Sequence, residues 1–569
     1  MNRLKLVILL QLFVFSFSTC KENEVKIFVN QIGYLPKQVK YAVVIGEIDS
    51  FKVVSTETNK VEYSGKLSQP KYWALSDEVV RIADFTKVKK KGTYKIIAKG
   101  DSSYSFEISN DVYKNISKAS LKAFYYQRAS TELPEKFAGK WKRKCGLSDT
   151  TVYIHSSAAS IERPEGSIIS APGGWFDAGD YNKYIVNSGI TTYTLILLYD
   201  LFPEYIKTVS LNIPESNNDI PDILDEILWN VRWMMKMQDP EDGGVYHKLT
   251  CKNFQPYLMP SEVKAKRFVV GKSTAAALDF SAVLSHLSVS LKKHNNKLKS
   301  LSDSCLTMAK KAWQWAVKNP NKHFKNPPDI QTGEYSDNKL KDNFFWAGIE
   351  LYLATNDTSY LRYVDNLDEM VVDSLYWAHV ANLGILSTLT NNTNEKKYLT
   401  ARSKIRETFE KNITILYNKN QQSPYRISLG VFKWGSNSNL LNETLMLLAA
   451  YKIYGDKKYL TAAITNTDYI LGRNPLNICY VTGFGSKSPL NIHHRISIAD
   501  GMKEPIPGLV VGGANPYYLI DCGKDKYPSL LPAKCYLDDV DSYSTNEIAI
   551  NWNAALVFVL FSIDNFSQK

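Results

Sequence analysis

The 569-residue sequence is poor in cysteine and in long apolar runs. It contains only seven cysteines, which is sparse for a chain that would depend on disulfide bonds, although Cys522 and Cys535 are close enough in sequence to close one loop. Beyond the first twenty residues no segment is long and apolar enough to span a bilayer, so the sequence predicts no membrane span. No internal repeat of fixed length is visible.

Clusters of charge of one sign are also missing. Lysine and arginine outnumber aspartate and glutamate by 69 to 57, a net charge of +12, but the basic residues are scattered along the chain. A nucleic-acid-binding protein concentrates them on one face or segment, so no nucleic-acid partner is expected. The excess charge is better explained by solubility and by weak attraction to an acidic cell surface or matrix.

The N-terminus has the pattern of a secretory signal. Arg3 and Lys5 precede the apolar residues 6–17, a run too short for a membrane helix. Small residues then allow cleavage after Cys20, which defines a signal peptide of residues 1–20. Alternatively, Cys20 is itself the lipidated first residue of a bacterial lipoprotein. Both interpretations predict export, as a secreted, periplasmic or lipid-anchored cell-surface protein.

Residues 21–109 have the pattern of a small all-β domain. Short segments rich in β-branched and aromatic residues alternate with Gly, Pro, Asn and Asp, at residues 25–30, 41–47, 51–56, 79–85, 92–100 and 104–109. Six or seven short strands in about 85 residues predict an immunoglobulin-like β-sandwich. Since the region has no cluster of His, Cys or paired acids, we expect a positioning role, with sugar binding as the alternative.

From residue 110 the apolar spacing becomes helical. Residues recur at three- and four-residue intervals near 112–128, 188–202, 222–238, 273–292, 302–318, 343–356, 367–381, 399–417, 439–454, 457–471 and 546–561. The sequence therefore predicts a mainly α protein, in which residues 110–569 form one large helical domain. Most of its chemically suggestive residues lie in the long loops, where a rigid scaffold can present a site.

The first such loop spans residues 173–184, with the sequence GGWFDAGDYNKY. Asp177 and Asp180 stand three residues apart around Gly179. A plain turn or a calcium loop would also use Asp and Gly. Calcium is disfavoured because the loop has no alternating run of oxygen ligands and no closing Glu. Paired aspartates are suited to holding one water molecule and removing its proton.

The second loop ends in the sequence NIHHR, residues 491–495. His493, His494 and Arg495 offer directional donors to the hydroxyl groups of a polar ligand. A zinc site is the alternative, but adjacent histidines rarely point the same way and no further ligand is suitably spaced.

The third stretch, residues 536–554, has the sequence YLDDVDSYSTNEIAINWNA. Its acids crowd before an apolar run and are Asp538, Asp539, Asp541 and Glu547. Ser544 or Thr545 is predicted to cap a buried helix, with Glu547 in or near its first turn. Glu547 is then either a helix cap or a catalytic group, and the neighbouring like charges favour the catalytic group.

Aromatic residues accompany these loops. Trp175, Trp346, Trp434, Tyr425 and Tyr543 lie at predicted junctions of loops and helices. Each ring belongs either to the core or to a surface on which a sugar face stacks, and the second role requires an exposed flat ring.

Taken together, these motifs resemble glycoside hydrolase family 9. The DAGD loop, the HHR block and residues 536–554 carry the resemblance, and the last matches the family signature at Tyr536, Asp538, Tyr543, Glu547, Ala549, Asn553 and Ala554. The signature that ends at Arg495 is matched from Val481 and departs at Cys479. VNQIGYLP (29–36) and YYQRAS (125–130) resemble the family's N-terminal sandwich and its domain junction.

The resemblance implies an (α/α)6 barrel with an open cleft that hydrolyses β-1,4-glucan with inversion. Asp180 would be the general base, Asp177 its helper on the water, and Glu547 the general acid. The implied substrate-binding residues are His493, Arg495, Asp538, Tyr543, and the stacking platforms Trp346 and Trp434.

The expected substrates are cellulose-like, mixed-linkage or xyloglucan chains, cut internally. The alternatives are an exo-acting β-glucosidase or β-glucosaminidase of the same family and a non-catalytic glycan-binding protein. No cofactor is required. Some relatives hold a structural zinc through one cysteine and a later Cys-His pair. Here Ala129 stands at the first place and Cys145-Gly146 at the pair, which disfavours zinc. A structural calcium is common in the family, but the resemblance assigns it no residues.

Inversion sets two physical conditions. The acid and base must stand about 6.5–9.5 Å apart to admit a water molecule, so the fold must set the gap between residues 177–180 and 547. Glu547 must also stay protonated, whereas a helix N-terminus favours its anion by about 0.3–1 kcal/mol. Raising its pKa by two units takes about 2.7 kcal/mol. We expect burial beside Trp552 and repulsion from the acidic cluster to outweigh the helix dipole.

Overall fold

The computed structural model describes residues 25–294, 296–370, 374–391 and 396–567. The predicted signal peptide of residues 1–20, including Cys20, lies outside the described residues.

The N-terminal region is a β-sandwich, as predicted. Its strands are β1 (Lys26–Phe28), β2 (Gly33–Tyr34), β3 (Tyr41–Ile45), β4 (Ser50–Ser55), β5 (Val61–Lys66), β6 (Lys71–Trp73), β7 (Glu78–Asp84), β8 (Gly92–Ala98), β9 (Asp101–Ser102) and β10 (Phe106–Ile108). One sheet has the order β1-β3-β7-β6 and the other β2-β10-β8-β4-β5, with β9 beside β8. In β8 the alternate residues Tyr94, Ile96 and Ala98 are buried, as expected of a strand with one face on the core.

The rest of the described chain is mainly helical. The helices are α1 (Lys114–Gln127), α2 (Glu135–Ala138), α3 (Ile185–Leu201), α4 (Pro203–Ile206), α5 (Asp222–Lys236), α6 (Thr274–His294), α7 (Lys299–Lys318), α8 (Lys341–Thr355), α9 (Ala381–Thr390), α10 (Lys396–Gln422), α11 (Ser436–Tyr454), α12 (Lys457–Ile470), α13 (Arg495–Ala499), α14 (Tyr543–Asn546) and α15 (Ile550–Ser567). A long 3-10 helix, Thr358–Glu369, follows α8.

The long helices form two concentric rings. Helices α3, α6, α8, α9, α11 and α15 contact one another in a closed circle. Each packs outward against one partner, in the same order α5, α7, the 3-10 helix, α10, α12 and α1. The inner helices are buried nearly all round, which explains why they are apolar or small on every side. The predicted (α/α)6 barrel is confirmed.

Helix α6 belongs to this inner ring. Its residues 274–293 are the one segment of the described chain that is long and apolar enough to cross a membrane, and 94% of its most apolar window is buried inside the protein.

One predicted helix is wrong. Residues 374–380 have no regular helix, and the helix α9 begins only at Ala381. Tyr376 and His379 instead exchange backbone hydrogen bonds in a tight turn, and the Asp342 carboxylate accepts the Val380 N–H just before the helix. The apolar residues that suggested a helix are still buried, but individually: Leu367, Met370, Leu375 and Val380.

A third sheet connects the barrel helices near one end. It contains β11 (Val152–Ile154), β12 (Ile168–Ile169), β13 (Lys183–Tyr184), β14 (Tyr246–Thr250) and β15 (Arg267–Lys272), in the order β12-β11-β15-β14-β13. The buried Asp149 carboxylate joins its strands, because it pairs with Lys183 at 2.7 Å and with Arg267 at 3.0 Å. Strand β13 follows directly on the DAGD loop, so this sheet helps to fix that loop.

Direct contacts fix the sandwich against the barrel. The Asn30 side chain donates to Asp468 at 2.9 Å, and the Trp73 ring packs on Tyr425 with ring centroids 4.5 Å apart. Tyr425 is buried at this interface, so it offers no ring to a sugar. These contacts agree with the predicted positioning role. The sandwich ends with β10 at Ile108 and the barrel begins with α1, on either side of the predicted boundary at 109/110.

The proposed Cys522–Cys535 disulfide is not formed. Cys535 is buried, Cys522 is partly exposed, and both are free thiols, as are the other four cysteines within the described ranges.

Candidate active site

The three predicted motifs meet at one place. Backbone hydrogen bonds join Arg495 N to Gly179 O at 3.0 Å and Ile550 N to Asp177 O at 2.9 Å. Isolated β-bridges pair Ala178 with Ala549 and His493 with Glu547. Segments about 370 residues apart in the chain therefore lie side by side, and the aspartate loop faces the segment that carries Glu547.

Gly179 makes this close approach feasible. A Cβ atom at this position would lie 2.2 Å from the His493 carbonyl oxygen, far inside van der Waals contact. The Gly179 N–H also donates to Glu547 Oε1 at 3.3 Å. Any side chain at position 179 would therefore clash with the backbone of His493, so the close approach requires glycine.

Glu547 does not lie in the first turn of a helix, contrary to the sequence-based prediction. Helix α14 ends at Asn546, Glu547 is extended, and helix α15 begins only at Ile550. The segment 547–549 is extended because it forms bridges on both sides, with His493, with Val511 and with Ala178. The helix dipole is therefore not applied directly at this carboxyl group.

Several effects raise the pKa of Glu547 well above its usual value. Burial is the largest, followed by the negative charge of Asp180; Asp177 adds to it, whereas Arg495 and the Gly179 N–H oppose it. The repulsion thus comes from the aspartate loop rather than from the acids that precede Glu547 in sequence. This environment favours the protonated form of the carboxyl group, which is the form a general acid needs.

Asp177 is buried and accepts two short hydrogen bonds. Asn187 Nδ2 donates to its Oδ1 at 2.5 Å and Tyr335 Oη donates to its Oδ2 at 2.7 Å. Burial, reinforced by the charge of Asp180, raises the pKa of Asp177 to about 8.

Asp180 is buried as well, but it has more cationic surroundings. Its carboxylate accepts from the Asn182 amide and from Tyr184 Oη at 3.4 Å. Burial raises the pKa of Asp180, and the charge of Arg495 opposes this most, with help from Arg267. Of the two aspartates, Asp180 is therefore the one that ionises more readily, which suits a base.

All three acids line a single cleft of about 960 Å³. His493, Arg495, Trp434 and Tyr543 line it too. A series of rings runs along one wall, with centroid spacings of 5.6 Å from Trp434 to Tyr543, 5.7 Å from Tyr543 to His493 and 5.9 Å from His493 to Tyr257. The cleft therefore combines three carboxyl groups with a continuous aromatic surface.

Comparison with known proteins identifies the family. The family model for Glycosyl hydrolase family 9 matches residues 113–560, and that for the Cellulase N-terminal ig-like domain matches residues 22–103. The chain belongs to glycosyl hydrolase family 9.

Individual members of the family are similar over nearly their whole length. The chain is 40% identical to the xyloglucan-specific endo-beta-1,4-glucanase BoGH9A of Bacteroides ovatus, over 94% of this chain and 93% of the relative. It is 34% identical to a cellodextrinase of Butyrivibrio fibrisolvens, over 95% and 99%. The solved structure of a Bacteroides ovatus GH9 protein superposes with a TM-score of 0.89 at 39% identity, covering 95% of this chain and 99% of that one.

Hydrogen bonds fix the side chains of His493 and Arg495 in the cleft of this family 9 chain. His493 Nδ1 donates to Val540 O at 2.6 Å, and burial lowers the pKa of His493 to about 4. The ring is thus neutral at neutral pH, with its proton on Nδ1. The Arg495 guanidinium donates to Gln255 O at 2.6 Å and to Gly179 O at 2.9 Å. Its charge therefore stays beside the carboxyl groups.

His494 points elsewhere. It is buried, does not line the cleft, and lies 3.0 Å from Gln127 Oε1 through its Nε2. The same Gln127 donates to Ala178 O at 3.1 Å. His494 thus supports the aspartate loop through Gln127, and the two adjacent histidines do not converge on one metal.

The stacking role predicted for Trp346 is wrong. Its side chain is 0% exposed, lies on the inner helix α8 and does not line the cleft. Its Nε1 lies 3.2 Å from Glu350 Oε1, and its ring packs edge-on against Tyr193. A ring enclosed by the barrel core has no free face for a sugar. Trp175 is likewise 0% exposed.

Asp538 also has a different role from the predicted one. It does not line the cleft; its carboxylate accepts from the backbone N–H groups of Leu490 and Asn491 and from Asn546 Nδ2. It therefore ties the histidine loop to the segment that precedes Glu547.

Several cleft residues were not predicted from the sequence. They are Phe254, Tyr257, Tyr335, Trp377 and Tyr518. Tyr335 and Trp377 lie in segments without regular structure, and Trp377 falls inside the wrongly predicted helix. No local pattern distinguishes such residues from core aromatics.

No group of three or more His, Cys, Asp or Glu residues that would hold a metal ion occurs in the described part of the chain. Cys145, at one of the places where some relatives hold zinc, is exposed and free.

Proposed function

We propose that this family 9 chain is an inverting endo-β-1,4-glucanase. The observation that carries the proposal is that Asp177, Asp180 and Glu547 face one cleft, where the pKa of Glu547 is raised well above its usual value and Arg495 and Arg267 oppose the rise in the pKa of Asp180. Two carboxyl groups with opposite protonation are what acid–base cleavage of a glycosidic bond requires.

Each acid then has one role. Asp180 removes a proton from a water molecule that attacks the anomeric carbon, and Asp177 holds that water in place. Glu547 donates its proton to the departing glycosidic oxygen. Water attacks from the face opposite the leaving oxygen, so the product has the inverted anomeric configuration.

The aromatic wall supports internal cleavage. Trp434, at one end of the ring series, is 40% exposed, and Phe254, which flanks Arg495 beyond Tyr257, is 47% exposed. Exposed rings at both ends of the series can stack on further sugar units of a long chain, which favours internal cleavage. Among β-1,4-glucans, we propose xyloglucan as the first substrate to test, because the Bacteroides ovatus relative is described as specific for it.

Exo action on short chains is the second candidate, and the cellodextrinase of Butyrivibrio fibrisolvens favours it. We also propose that the protein is exported, on the basis of residues 1–20 alone.

The test replaces the general acid. Glu547→Gln preserves the shape of the side chain but cannot donate the catalytic proton, so kcat on soluble xyloglucan should fall by about 10²–10⁴-fold. Asp539→Asn, in the same acidic stretch but outside the cleft lining, is the matched control and should keep near-normal activity. Near-normal turnover by a folded Glu547→Gln protein would remove Glu547 from the mechanism.

Two further measurements on the unmodified protein test the reaction type. NMR of the first product should show the inverted anomer before mutarotation. The viscosity of a xyloglucan or mixed-linkage glucan solution should drop early, whereas one small product from the start would indicate exo action.

A further inference from the structure

The strand β14 carries a buried lysine beneath the aspartate pair. Lys248 is 0% exposed, and its ammonium group lies 5.6 Å from the Tyr184 ring centroid and 5.5 Å from that of Phe324. It forms no ion pair with a carboxylate among the described residues. A buried charge without an ionic partner is costly, so its hydrogen bonds need an explanation.

All three ammonium protons have acceptors. Lys248 Nζ donates to Asn326 Oδ1 at 2.6 Å, to Thr332 Oγ1 at 3.1 Å and to Gly333 O at 2.8 Å. These acceptors belong to one irregular segment, residues 324–336, between α7 and α8. The same segment carries Tyr335, whose hydroxyl group donates to Asp177.

From the hydroxyl group of Thr332, further hydrogen bonds lead to the other aspartate, Asp180. Thr332 Oγ1 lies 2.7 Å from Thr250 Oγ1, and Thr250 Oγ1 donates to Asn182 Oδ1 at 2.9 Å. Asn182 Nδ2 in turn donates to the Asp180 carboxylate. Four hydrogen bonds therefore connect the ammonium group of Lys248 with Asp180.

The donors in this chain of hydrogen bonds can all point the same way, from Lys248 toward Asp180. An ammonium group only donates and a carboxylate only accepts, so the hydrogen-bond chain is continuous when Thr332 and Thr250 both donate toward Asp180. Thr250 shares its one hydroxyl proton between Asn182 Oδ1 at 2.9 Å and the Cys251 carbonyl oxygen at 2.7 Å. The Cys251 N–H, which donates to Asn182 Oδ1 at 3.1 Å, independently fixes the amide with its NH₂ group toward Asp180. Hydrogen bonds aligned in this way polarise one another, and the last one favours the ionised acceptor.

Lys248 also holds the Tyr335 segment in an unusual conformation. Tyr335 has φ +49°, in the left-handed region that a bulky side chain rarely adopts. Two hydrogen bonds hold the backbone just before Tyr335. Lys248 Nζ donates to Gly333 O, and His247 Nε2 lies 3.0 Å from Glu334 O. Neighbouring residues of β14 thus stabilise the strained backbone that places the phenol on Asp177.

We propose that Lys248 is a positioning residue of the reaction, acting on the general base through Thr332, Thr250 and Asn182. The inference rests on the proposed function, in which Asp180 is the base. It assigns to Lys248 the task of keeping Asp180 ionised and of holding the segment that carries Tyr335.

The charges around Lys248 are consistent with this role. Asp180 and Glu334 favour its charged form, while burial lowers the pKa of Lys248 to about 7. His247, beside it, has its pKa lowered by burial to about 3 and adds no positive charge at neutral pH. With a pKa of about 7, Lys248 carries its positive charge in acidic solution.

The test compares acid limbs of the pH profile of kcat/KM on one soluble glucan. Lys248→Met and Thr332→Val should each move this limb to higher pH, by about 0.5–1 unit, because each breaks the chain and raises the pKa of the base. In both variants kcat should fall and KM should stay near the wild-type value. The double variant should shift the limb no further than Lys248→Met alone.

The matched control is Lys272→Met, which removes another buried lysine of the same sheet, on β15, that pairs with Asp239 and Asp242. Its stability should fall while its acid limb stays in place. An unshifted limb in Thr332→Val beside a shifted one in Lys248→Met would overturn the proposal, since the lysine would then act by charge alone. Unshifted limbs in both variants, or an equal shift in Lys272→Met, would overturn it too.

Thr332→Val changes little volume and keeps the experiment decisive even if Lys248→Met does not fold. Failure of the proposed function is visible separately, as an unmodified protein that releases no sugar from any β-glucan. Failure of the present inference is visible only as a difference among variants of an active enzyme.

Discussion

The carboxyl groups on the two sides of the cleft, Glu547 on one and Asp177 with Asp180 on the other, differ in exposure and in hydrogen bonding. Glu547 is partly exposed, and the hydrogen bond found for its carboxyl group comes from the backbone N–H of Gly179 at 3.3 Å. Asp177 and Asp180 are 1% and 5% exposed and accept from four side chains between them: Asn187, Tyr335, Asn182 and Tyr184.

Burial raises the pKa on both sides, so burial alone does not distinguish an acid from a base. The difference lies in the neighbouring groups: Arg495, Arg267 and two side-chain donors oppose the rise in the pKa of Asp180, whereas the charges of Asp180 and Asp177 add to the rise at Glu547. In the proposed mechanism, the roles of acid and base therefore depend on neighbours that come from distant parts of the chain.

The largest expected effect is on turnover, and it distinguishes the proposed base from the proposed acid by the leaving group of the substrate. Asp180→Asn should lower kcat by about 10²–10⁴-fold on every substrate, because attack by water always needs the base. Glu547→Gln should lose much less on an aryl cellooligosaccharide whose phenolate leaves without a proton. Turnover of both glycan and aryl substrates checks this, and equal losses in the two variants on both substrates would contradict the assignment.

The pH profile of kcat/KM should be bell-shaped. Activity is lost below the pKa of the aspartate pair, where the base becomes protonated, and above the raised pKa of Glu547, where the acid loses its proton. Outside either limb the rate changes about tenfold per pH unit. Asp177→Asn removes a charge that raises the pKa of Glu547, so the residual activity of this variant should have its alkaline limb at lower pH. An alkaline limb at unchanged pH would show that Asp177 does not act on the acid.

Removing one donor from the base side should have a smaller effect. Tyr335→Phe deletes a hydrogen bond to a charged group, worth about 1.5–3 kcal/mol, so kcat/KM should fall by about 10–100-fold. The pH profile of kcat/KM should also change, because the bond to Tyr335 lowers the pKa of Asp177 and its loss lets this pKa rise. Tyr376→Phe is the control, since this tyrosine also lines the cleft but its hydroxyl group lies near His379. Equal pH profiles for the two variants would rule out the role of Tyr335.

The smallest effect distinguishes a cleft tryptophan from a core tryptophan. Trp434→Ala should raise KM by about five- to tenfold through lost stacking, with little change in stability. Trp346→Phe should lower the free energy of unfolding by about 1–3 kcal/mol, because it removes a buried hydrogen-bonding group, and should leave KM unchanged. Kinetics and thermal unfolding of both variants check the contrast, and a raised KM in Trp346→Phe would restore its predicted role.

Much of the architecture was predictable from local pattern. The alternation of apolar residues in β8 and the three- and four-residue spacing in the barrel helices are consequences of backbone period, so they are visible in the sequence. The helix predicted at 367–381 is the exception. Its apolar side chains are buried one by one around a turn, and a spacing rule does not distinguish that burial from a helical face.

The candidate site was predictable to a more limited degree. The DAGD loop, the HHR block and the stretch around Glu547 are recognisable because acids and glycines in that order are chemically unusual. Trp346 and Trp434 both lie near a junction of loop and helix, yet Trp346 is enclosed between inner helices and Trp434 lines the cleft. Exposure of a ring depends on packing partners hundreds of residues away, and no local pattern reports it.

The sequence by itself determined the strand and helix periods, the family resemblance and the identity of the three acids. Only the tertiary structure decided that Glu547 is extended between two neighbouring segments, that Asp538 holds a loop, and that Lys248 lies beneath the aspartate pair. The physical reason is that side-chain type and period are local properties. Desolvation, hydrogen bonding and charge at a carboxyl group are sums over neighbours that the folded chain brings together.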